Sequence, residues 1–155
     1  MADSRDKPRF FTLGDAERIL PRVEAELREV VRLSQDGERA LTEHRQWLQN
    51  VAMSGGGLVD HSRALEGKAR RQAINESLRE TIARLQEFGC LIKDLKLGLV
   101  DFPTLFRGEE VYLCWKLGED SIRFWHGVSE GFGGRKRIDA DFIRHHGGSP
   151  DKPLH

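Results

Sequence analysis

Apolar residues recur at three- and four-residue spacing over the first third of the chain, a pattern typical of an amphipathic helix. Thr12, followed three residues later by Asp15, predicts the start of this helix, and Pro21 is expected to bend it about two turns further on. The stripe weakens near Asp36-Gly37, but its register resumes without a slip, so we predict one continuous helix. The stripe consists of Leu20, Val23, Leu27, Val30, Leu41, Leu48 and Val51.

A second amphipathic helix is predicted after the glycines at residues 55–57, because three consecutive glycines cost too much backbone entropy to lie inside a helix. Gly89 predicts its end. Two long helices joined by a loop indicate a coiled-coil-like antiparallel hairpin over residues 10–89. The apolar face of the second helix comprises Ile74, Leu78, Ile82, Leu85 and Phe88.

The pattern changes near residue 90, and nine of the twelve aromatic residues lie between Phe88 and Phe142. Short apolar runs bounded by Gly, Pro and Asp are typical of strands and turns. We therefore predict a small, mainly antiparallel sheet over residues 90–142, packed on the helical hairpin in a single α+β domain. Residues 1–9 and 143–155 are predicted to be disordered. The clearest β-hairpin is expected to have strands at 110–116 and 121–126, joined by a turn at 117–120.

Charge and composition narrow the class of protein. The chain has 155 residues, 25 basic and 25 acidic side chains, a net charge of zero and a mean hydropathy of −0.54. The balanced charge argues against general nucleic-acid binding, and no apolar run approaches the ~18 residues that cross a bilayer. The first nine residues do not resemble a secretory leader, and two cysteines are too few for a disulfide framework. These features predict a cytoplasmic protein with no nucleic-acid or membrane partner.

Several runs in the second half of the chain are specific enough to carry a family resemblance. They are Ile-Lys-Asp-Leu at 92–95, Gly-Leu-Val-Asp-Phe-Pro at 98–103, Val-Tyr-Leu-Cys-Trp-Lys-Leu-Gly-Glu at 111–119, Trp-His at 125–126 and Gly-Phe-Gly-Gly-Arg at 131–135. Together with Phe-Thr-Leu at 11–13 and Leu-Pro at 20–21, they resemble the bacterial domain-of-unknown-function family 2203. The resemblance implies a small cytoplasmic protein with a helical arm and a compact C-terminal unit. It implies no activity, cofactor or catalytic residue.

Cys114 and His126 raise the question of a zinc site, with Asp101 as a further ligand. Pairing across a two- or four-residue turn places Trp115 opposite Ile122 and sets His126 on the same face as Trp115. Cys114 then lies on the other face, and side chains on opposite faces of a sheet cannot share a metal ion. A bulge or an odd-length turn would bring the two together but would scatter the apolar face. We therefore predict no metal site.

The other face of the predicted hairpin combines aromatic rings with cations, a surface suited to an anionic or planar ligand. The glycine-rich loop at 131–137, which ends in three basic residues, has the ingredients of an anion-binding nest. If a ligand site exists, Arg135 and this loop should lie near the cationic face. The alternative is structural: the cations lie over aromatic neighbours, and Asp101 fixes the turn before Phe102-Pro103. The candidate ligand-binding residues are Arg135, Lys116, Arg123, Trp125, Asp101, Gly133 and Gly134.

Two functional classes remain open. In the first, the helices form a homodimer or dock a helix of another protein, because a small sheet cannot cover both apolar stripes. In the second, the C-terminal unit binds a small anionic ligand through the residues above. We favour the first, since the helical stripe is the larger physical signal and no nucleophile–base pair can be assembled. No catalytic residue and no cofactor are predicted.

Overall fold

The computed structural model describes residues 10–55 and 61–147. Two long helices packed against each other form its N-terminal half, α1 (Leu13–Met53, 41 residues) and α2 (His61–Glu87, 27 residues). Along their contact the residue numbers rise in α1 as they fall in α2, so the predicted antiparallel hairpin is confirmed. None of the described helices is long and apolar enough to cross a membrane.

The start and the continuity of α1 follow the sequence pattern. Thr12 accepts the N–H of Asp15, and the Asp15 carboxylate accepts the N–H of Thr12, which completes the predicted capping box. Pro21 lies inside the helix, and no break occurs at Asp36-Gly37. A Cβ built on Gly37 would lie 3.6 Å from Ile74 of α2, so this glycine faces the helix contact.

The apolar stripe of α1 is covered along only part of its length. Its first four members, Leu20, Val23, Leu27 and Val30, are buried. Beyond Ala40 no residue of α1 is fully buried: Leu41 is 42% exposed and Leu48 is 49% exposed. The helical hairpin therefore packs on the rest of the molecule through its proximal half, and its distal half extends away.

Six strands form one antiparallel sheet in the order β1-β2-β3-β4-β5, with β6 paired to β2. A helix, α3, lies between β5 and β6, and a short 3-10 turn follows β4. The bounds are β1 Leu91–Asp94, β2 Leu99–Phe106, β3 Glu109–Lys116, β4 Phe124–Gly127, the 3-10 turn Phe132–Gly134, β5 Lys136–Arg137, α3 Ala140–His145 and β6 His146–Gly147. The predicted α+β fold, a helical hairpin packed on a small antiparallel sheet, is confirmed.

One face of the sheet packs on the helices and forms the core. Trp115 is fully buried, as the strand pattern of β3 predicts, and its indole N–H donates to the carbonyl of Glu119 at 3.0 Å. The cluster joins Val23 and Leu27 of α1 to Leu85 of α2. Its sheet and α3 members are Val100, Phe102, Val111, Leu113, Trp115 and Phe142. Cys114, which alternates with Leu113 and Trp115 along β3, is buried but is not a member of this cluster.

The predicted register between β3 and β4 is wrong by one residue. Tyr112 pairs with His126, and Cys114 pairs with Phe124, whereas the sequence argument paired Leu113 with Phe124. The cause is the connection, because β3 ends at Lys116 and β4 begins only at Phe124, leaving seven irregular residues instead of a tight turn. His126 therefore lies on the face of Cys114 and not on that of the core.

Residues 143–147, at the beginning of the segment predicted to be disordered, form the end of α3 and strand β6. His146 pairs with Phe106 of β2, and its Nε2 accepts the N–H of Leu13 at 3.0 Å. These long-range bonds order a segment that has no apolar pattern of its own. The remaining predictions of disorder, at 1–9 and 148–155, lie outside the described residues, as do residues 56–60 of the helix connection.

Candidate metal centre

Three neighbouring strands place Asp101, Cys114 and His126 on one face of the sheet. Asp101 in β2 lies directly across from Cys114 in β3, and His126 in β4 lies across from Tyr112. Directly opposed residues in antiparallel strands point to the same face, as do residues two apart in one strand. Since Trp115 is buried against the helices, alternation along β3 turns Cys114 to the opposite face.

The three side chains form a compact, buried cluster. One carboxylate oxygen of Asp101, the Cys114 sulfur and a ring nitrogen of His126 all lie within 4.8 Å of one another. His126 Nε2 lies 3.1 Å from Asp101 Oδ1 and 3.0 Å from Oδ2. Only 1% of Asp101, 2% of Cys114 and 4% of His126 is exposed, so water contributes little to their solvation. Such groups are retained in a protein interior when they pair with one another or hold a ligand.

The orientation of His126 is fixed by its second nitrogen. Nδ1 lies 2.8 Å from the carbonyl oxygen of Gly127, and because a carbonyl only accepts, Nδ1 carries a hydrogen. The other nitrogen, Nε2, is thereby directed at Asp101 and Cys114. The ring of Tyr112 packs edge-on against the imidazole, with 5.6 Å between centroids, and restricts its rotation.

Cys114 is a thiol in this arrangement. Burial, followed by the neighbouring negative charge of Asp101, raises the pKa of the Cys114 thiol to about 12. His126 Nε2 is engaged by Asp101 and does not act as a base toward the sulfur. The cluster therefore lacks the thiolate–imidazole pair of a cysteine nucleophile.

A cavity of about 310 Å³ opens above the cluster. Its floor is formed by Asp101, Cys114, His126 and Tyr112. One wall comes from β1, the turn after it and the first residue of β2, and the other from the segment that follows β4. The wall residues are Lys93, Asp94, Leu97 and Leu99 on the first side, and Val128, Glu130, Gly131 and Phe132 on the second. The cluster thus lies at the buried inner end of a cavity whose outer residues Leu97, Val128 and Phe132 are exposed.

The predicted anion-binding residues are not assembled around this cavity, with the exception of Asp101. Trp125 lies on the opposite face of β4, where it stacks on Phe142 of α3 with 5.0 Å between centroids. Arg123 pairs with Asp120 at the surface, at 3.1 Å. A single grouping of these side chains with Asp101, as expected from the sequence, does not form.

Arg135 and Lys116 have structural contacts of their own. Arg135 donates to both carboxylate oxygens of Glu119, at 2.7 and 2.9 Å, and its guanidinium lies 4.0 Å from the centre of the Phe124 ring. The Lys116 ammonium lies 5.6 Å from the centre of the Phe132 ring. Both observations agree with the structural alternative, in which cations cover aromatic neighbours.

The glycine loop is filled by a carboxylate of the chain itself. Glu130 accepts the N–H of Gly127 at 3.1 Å and pairs with Lys136 at 2.6 Å. A Cβ on Gly134 would lie 2.7 Å from Glu130 Oε2, and Gly133 has open space around it. Glu130 therefore lies against Gly134 of the loop, but the backbone N–H that it binds belongs to Gly127, outside the predicted nest.

The donor set fits a transition-metal ion better than any other ligand class. Thiolate sulfur, imidazole nitrogen and carboxylate oxygen are the three ligand types of zinc, and hard ions such as Ca²⁺ or Mg²⁺ prefer oxygen alone. The Gly127 carbonyl on Nδ1 is also the usual outer partner of a metal-bound histidine. The tight turn predicted after β3 would place Cys114 and His126 on opposite faces, whereas the longer connection places them on the same face.

Fold and site together define a class of protein: an α+β domain with a helical hairpin, an antiparallel sheet and a buried Asp–Cys–His cluster below a cavity. The chain belongs to the family described as "Uncharacterized conserved protein (DUF2203)", whose model matches residues 9–138. This confirms the family resemblance carried by the motifs of the C-terminal half. A search of curated proteins and a search of solved structures each find no match. The function of the site must therefore be argued from its own geometry.

Proposed function

We propose that the protein binds one transition-metal ion, with zinc as the best fit, through Asp101, Cys114 and His126. The observation that carries this proposal is the convergence of their ligand atoms within 4.8 Å at the buried floor of a cavity. Three protein ligands with an accessible side are typical of zinc sites that exchange a fourth ligand, whereas structural zinc sites are closed by four protein ligands.

The distances support such a site. Zinc–ligand bonds of about 2.0–2.3 Å in a tetrahedron place the ligand atoms about 3.3–3.8 Å apart. The observed spread, from 3.0 Å between His126 and Asp101 to a limit of 4.8 Å for the whole cluster, brackets that range. Binding would replace the thiol proton of Cys114 and the proton shared by Nε2 and the carboxylate.

The ion would hold its fourth ligand toward the cavity. That ligand is water when the cavity holds no other donor, and zinc can polarise a bound oxygen. Glu130, which also lines the cavity, has its pKa lowered by Lys136 and by the N–H of Gly127, which makes it a weak base. The site therefore supports reversible binding of a small molecule to the metal more directly than it supports a hydrolytic reaction.

The test is zinc binding measured by calorimetry on metal-free protein. We expect one ion per chain, and a loss of affinity of about 100-fold or more in Cys114→Ala and in His126→Ala. Cys90→Ala is the matched control, because Cys90 is also a buried thiol but bonds to the Leu85 carbonyl away from the cluster. Circular dichroism confirms that each variant is folded. Stoichiometric binding that survives in Cys114→Ala, or the absence of binding in the wild type, contradicts the proposal.

A second candidate function is self-association through the distal half of the helical hairpin, in the reducing cytoplasm. It is favoured by the apolar residues left exposed there, with Met53 87% and Leu65 67% exposed in addition to Leu41 and Leu48. Two copies packed in a coiled-coil-like homodimer would cover them. Light scattering of the wild type should then give twice 17.7 kDa, and Leu41→Glu with Leu48→Glu should give 17.7 kDa without loss of helix. A wild-type monomer at high concentration contradicts this candidate.

A further inference from the structure

One lysine on the wall of the cavity above the cluster forms no ion pair within the described residues. Lys93 lines the cavity, and its ammonium lies 4.8 Å from the centre of the Tyr112 ring, which in turn packs on His126. Within the described residues Lys93 makes no ion pair, in contrast to Lys136, which is bound to Glu130.

The acidic groups on the cavity walls are already engaged. Asp94 accepts the backbone N–H groups of Lys96 and Leu97, at 2.8 and 2.9 Å, and so fixes the turn after β1. Glu130 is neutralised by its own lysine. An anion that enters the cavity therefore meets the ammonium of Lys93, while the carboxylate of Asp94 is held by the backbone of the turn.

The mouth of the cavity is apolar. Leu97, Val128 and Phe132 line it and are 45%, 52% and 41% exposed, respectively. A volume of about 310 Å³ is at the small end of ligand cavities. The occupant suited to this surface is a small molecule with an anionic head and a short apolar part.

We infer that the exogenous ligand is a small monocarboxylate, whose carboxylate binds the open metal position and Lys93 and whose chain lies against the apolar mouth. This inference rests on the proposed metal site. The charge balance favours a monoanion over a dianion: a doubly charged ion held by Asp101, thiolate Cys114 and neutral His126 has no net charge, and the positive charge of Lys93 is balanced by the carboxylate of Asp94 on the same wall. A phosphate dianion would leave an excess of negative charge inside the cavity and would make no use of the apolar mouth.

The test uses Co²⁺-loaded protein, because the visible bands of Co²⁺ respond to a change of ligand. Acetate, butyrate and hexanoate are titrated separately, with inorganic phosphate as the comparison anion. We expect saturable band shifts with the carboxylates, and an affinity that rises by about twofold or more per methylene as the chain covers the mouth. Lys93→Met should weaken butyrate binding about three- to fivefold with unchanged bands before titration, since the ammonium is exposed to solvent.

Lys96→Met is the matched control, because Lys96 lies three residues from Lys93, on the turn after β1, but does not line the cavity. Equal effects of the two lysine substitutions on butyrate affinity overturn the inference. So do Co²⁺ bands that no carboxylate shifts, and a phosphate affinity higher than that of hexanoate. In each of those results the Co²⁺ bands persist and the metal site stands. A wild type that develops no Co²⁺ bands overturns the metal site and this inference together.

Discussion

Replacing Arg135 with alanine is expected to destabilise the protein, although the sequence placed this residue in a ligand loop. Its guanidinium makes two bonds to the carboxylate of Glu119 and lies over two aromatic rings, Phe124 at 4.0 Å and Phe132 at 4.8 Å. Only 12% of the Arg135 side chain and 24% of the Glu119 side chain are exposed, so the pair is largely shielded from water. Its loss leaves a partly buried carboxylate without its cation.

The magnitude follows from that burial. Breaking a fully buried ion pair costs about 3–5 kcal/mol, and the residual exposure of this one reduces the cost to about 2–3 kcal/mol. Loss of the ring contacts adds up to about 1 kcal/mol. We therefore expect the free energy of unfolding to fall by about 2–4 kcal/mol. For a chain of this size this corresponds to a fall in Tm of about 5–15 °C.

The assay is urea unfolding of the wild type, Arg135→Ala, Glu119→Gln and the double variant, followed by circular dichroism. Glu119→Gln removes the same ion pair. The sum of the two single losses in free energy of unfolding should therefore exceed the loss in the double variant. Arg123→Ala is the control, because Arg123 forms an exposed pair with Asp120 and should cost about 1 kcal/mol or less. If Arg135→Ala costs no more than Arg123→Ala, the structural role argued for Arg135 is refuted.

Three further predictions test the core, the turn at Gly98 and the cap of α1. Trp115→Ala should cost about 3–5 kcal/mol in urea unfolding, since the side chain is fully buried, and a loss below about 1 kcal/mol would contradict the core. Gly98→Ala should cost about 2–4 kcal/mol, because φ is +69° and a Cβ would lie 2.6 Å from Leu117 Cβ; a neutral effect would place the turn elsewhere. Thr12→Ala should lower stability by about 1 kcal/mol through loss of the helix cap, and an unchanged midpoint would argue against that cap.

The helices and the fold class could be predicted because their signals are local and periodic. The capping box at Thr12 and the continuity of α1 through Gly37 depend on neighbours in sequence. The burial of Trp115 follows from strand alternation alone. The exposed ends at Leu41 and Leu48 have the same pattern as the buried half of the stripe, so the sequence shows that the stripe exists but not how much of it the sheet covers.

The Asp101–Cys114–His126 cluster could not be predicted because it depends on a long-range register. Cys114, His126 and Asp101 were named together, but a tight turn was assumed between the strands that carry the first two. The chain instead uses seven irregular residues, in which Glu119 binds the backbone of Lys116 and the side chain of Arg135. A register shift of one residue moves every side chain of β4 to the other face of the sheet. The register predicted from the sequence therefore places His126 and Cys114 on opposite faces.

The role of His146 could not be predicted for a related reason. Its bond to the N–H of Leu13 and its pairing with Phe106 join segments that are far apart in sequence. No local pattern around His146 signals such contacts. The extra order at 143–147 is therefore a property of the assembled fold and not of that segment alone.

The most direct test of the metal centre is X-ray absorption at the zinc edge on protein loaded with one equivalent of zinc. The proposed site should give one sulfur ligand at about 2.3 Å, from Cys114, together with nitrogen and oxygen ligands at about 2.0–2.2 Å from His126, Asp101 and an exchangeable fourth group. In Cys114→Ser the sulfur shell should vanish, while Cys90→Ala should leave the spectrum unchanged. A zinc spectrum with no sulfur ligand in the wild type, or with a sulfur ligand that persists in Cys114→Ser, would contradict the proposed site.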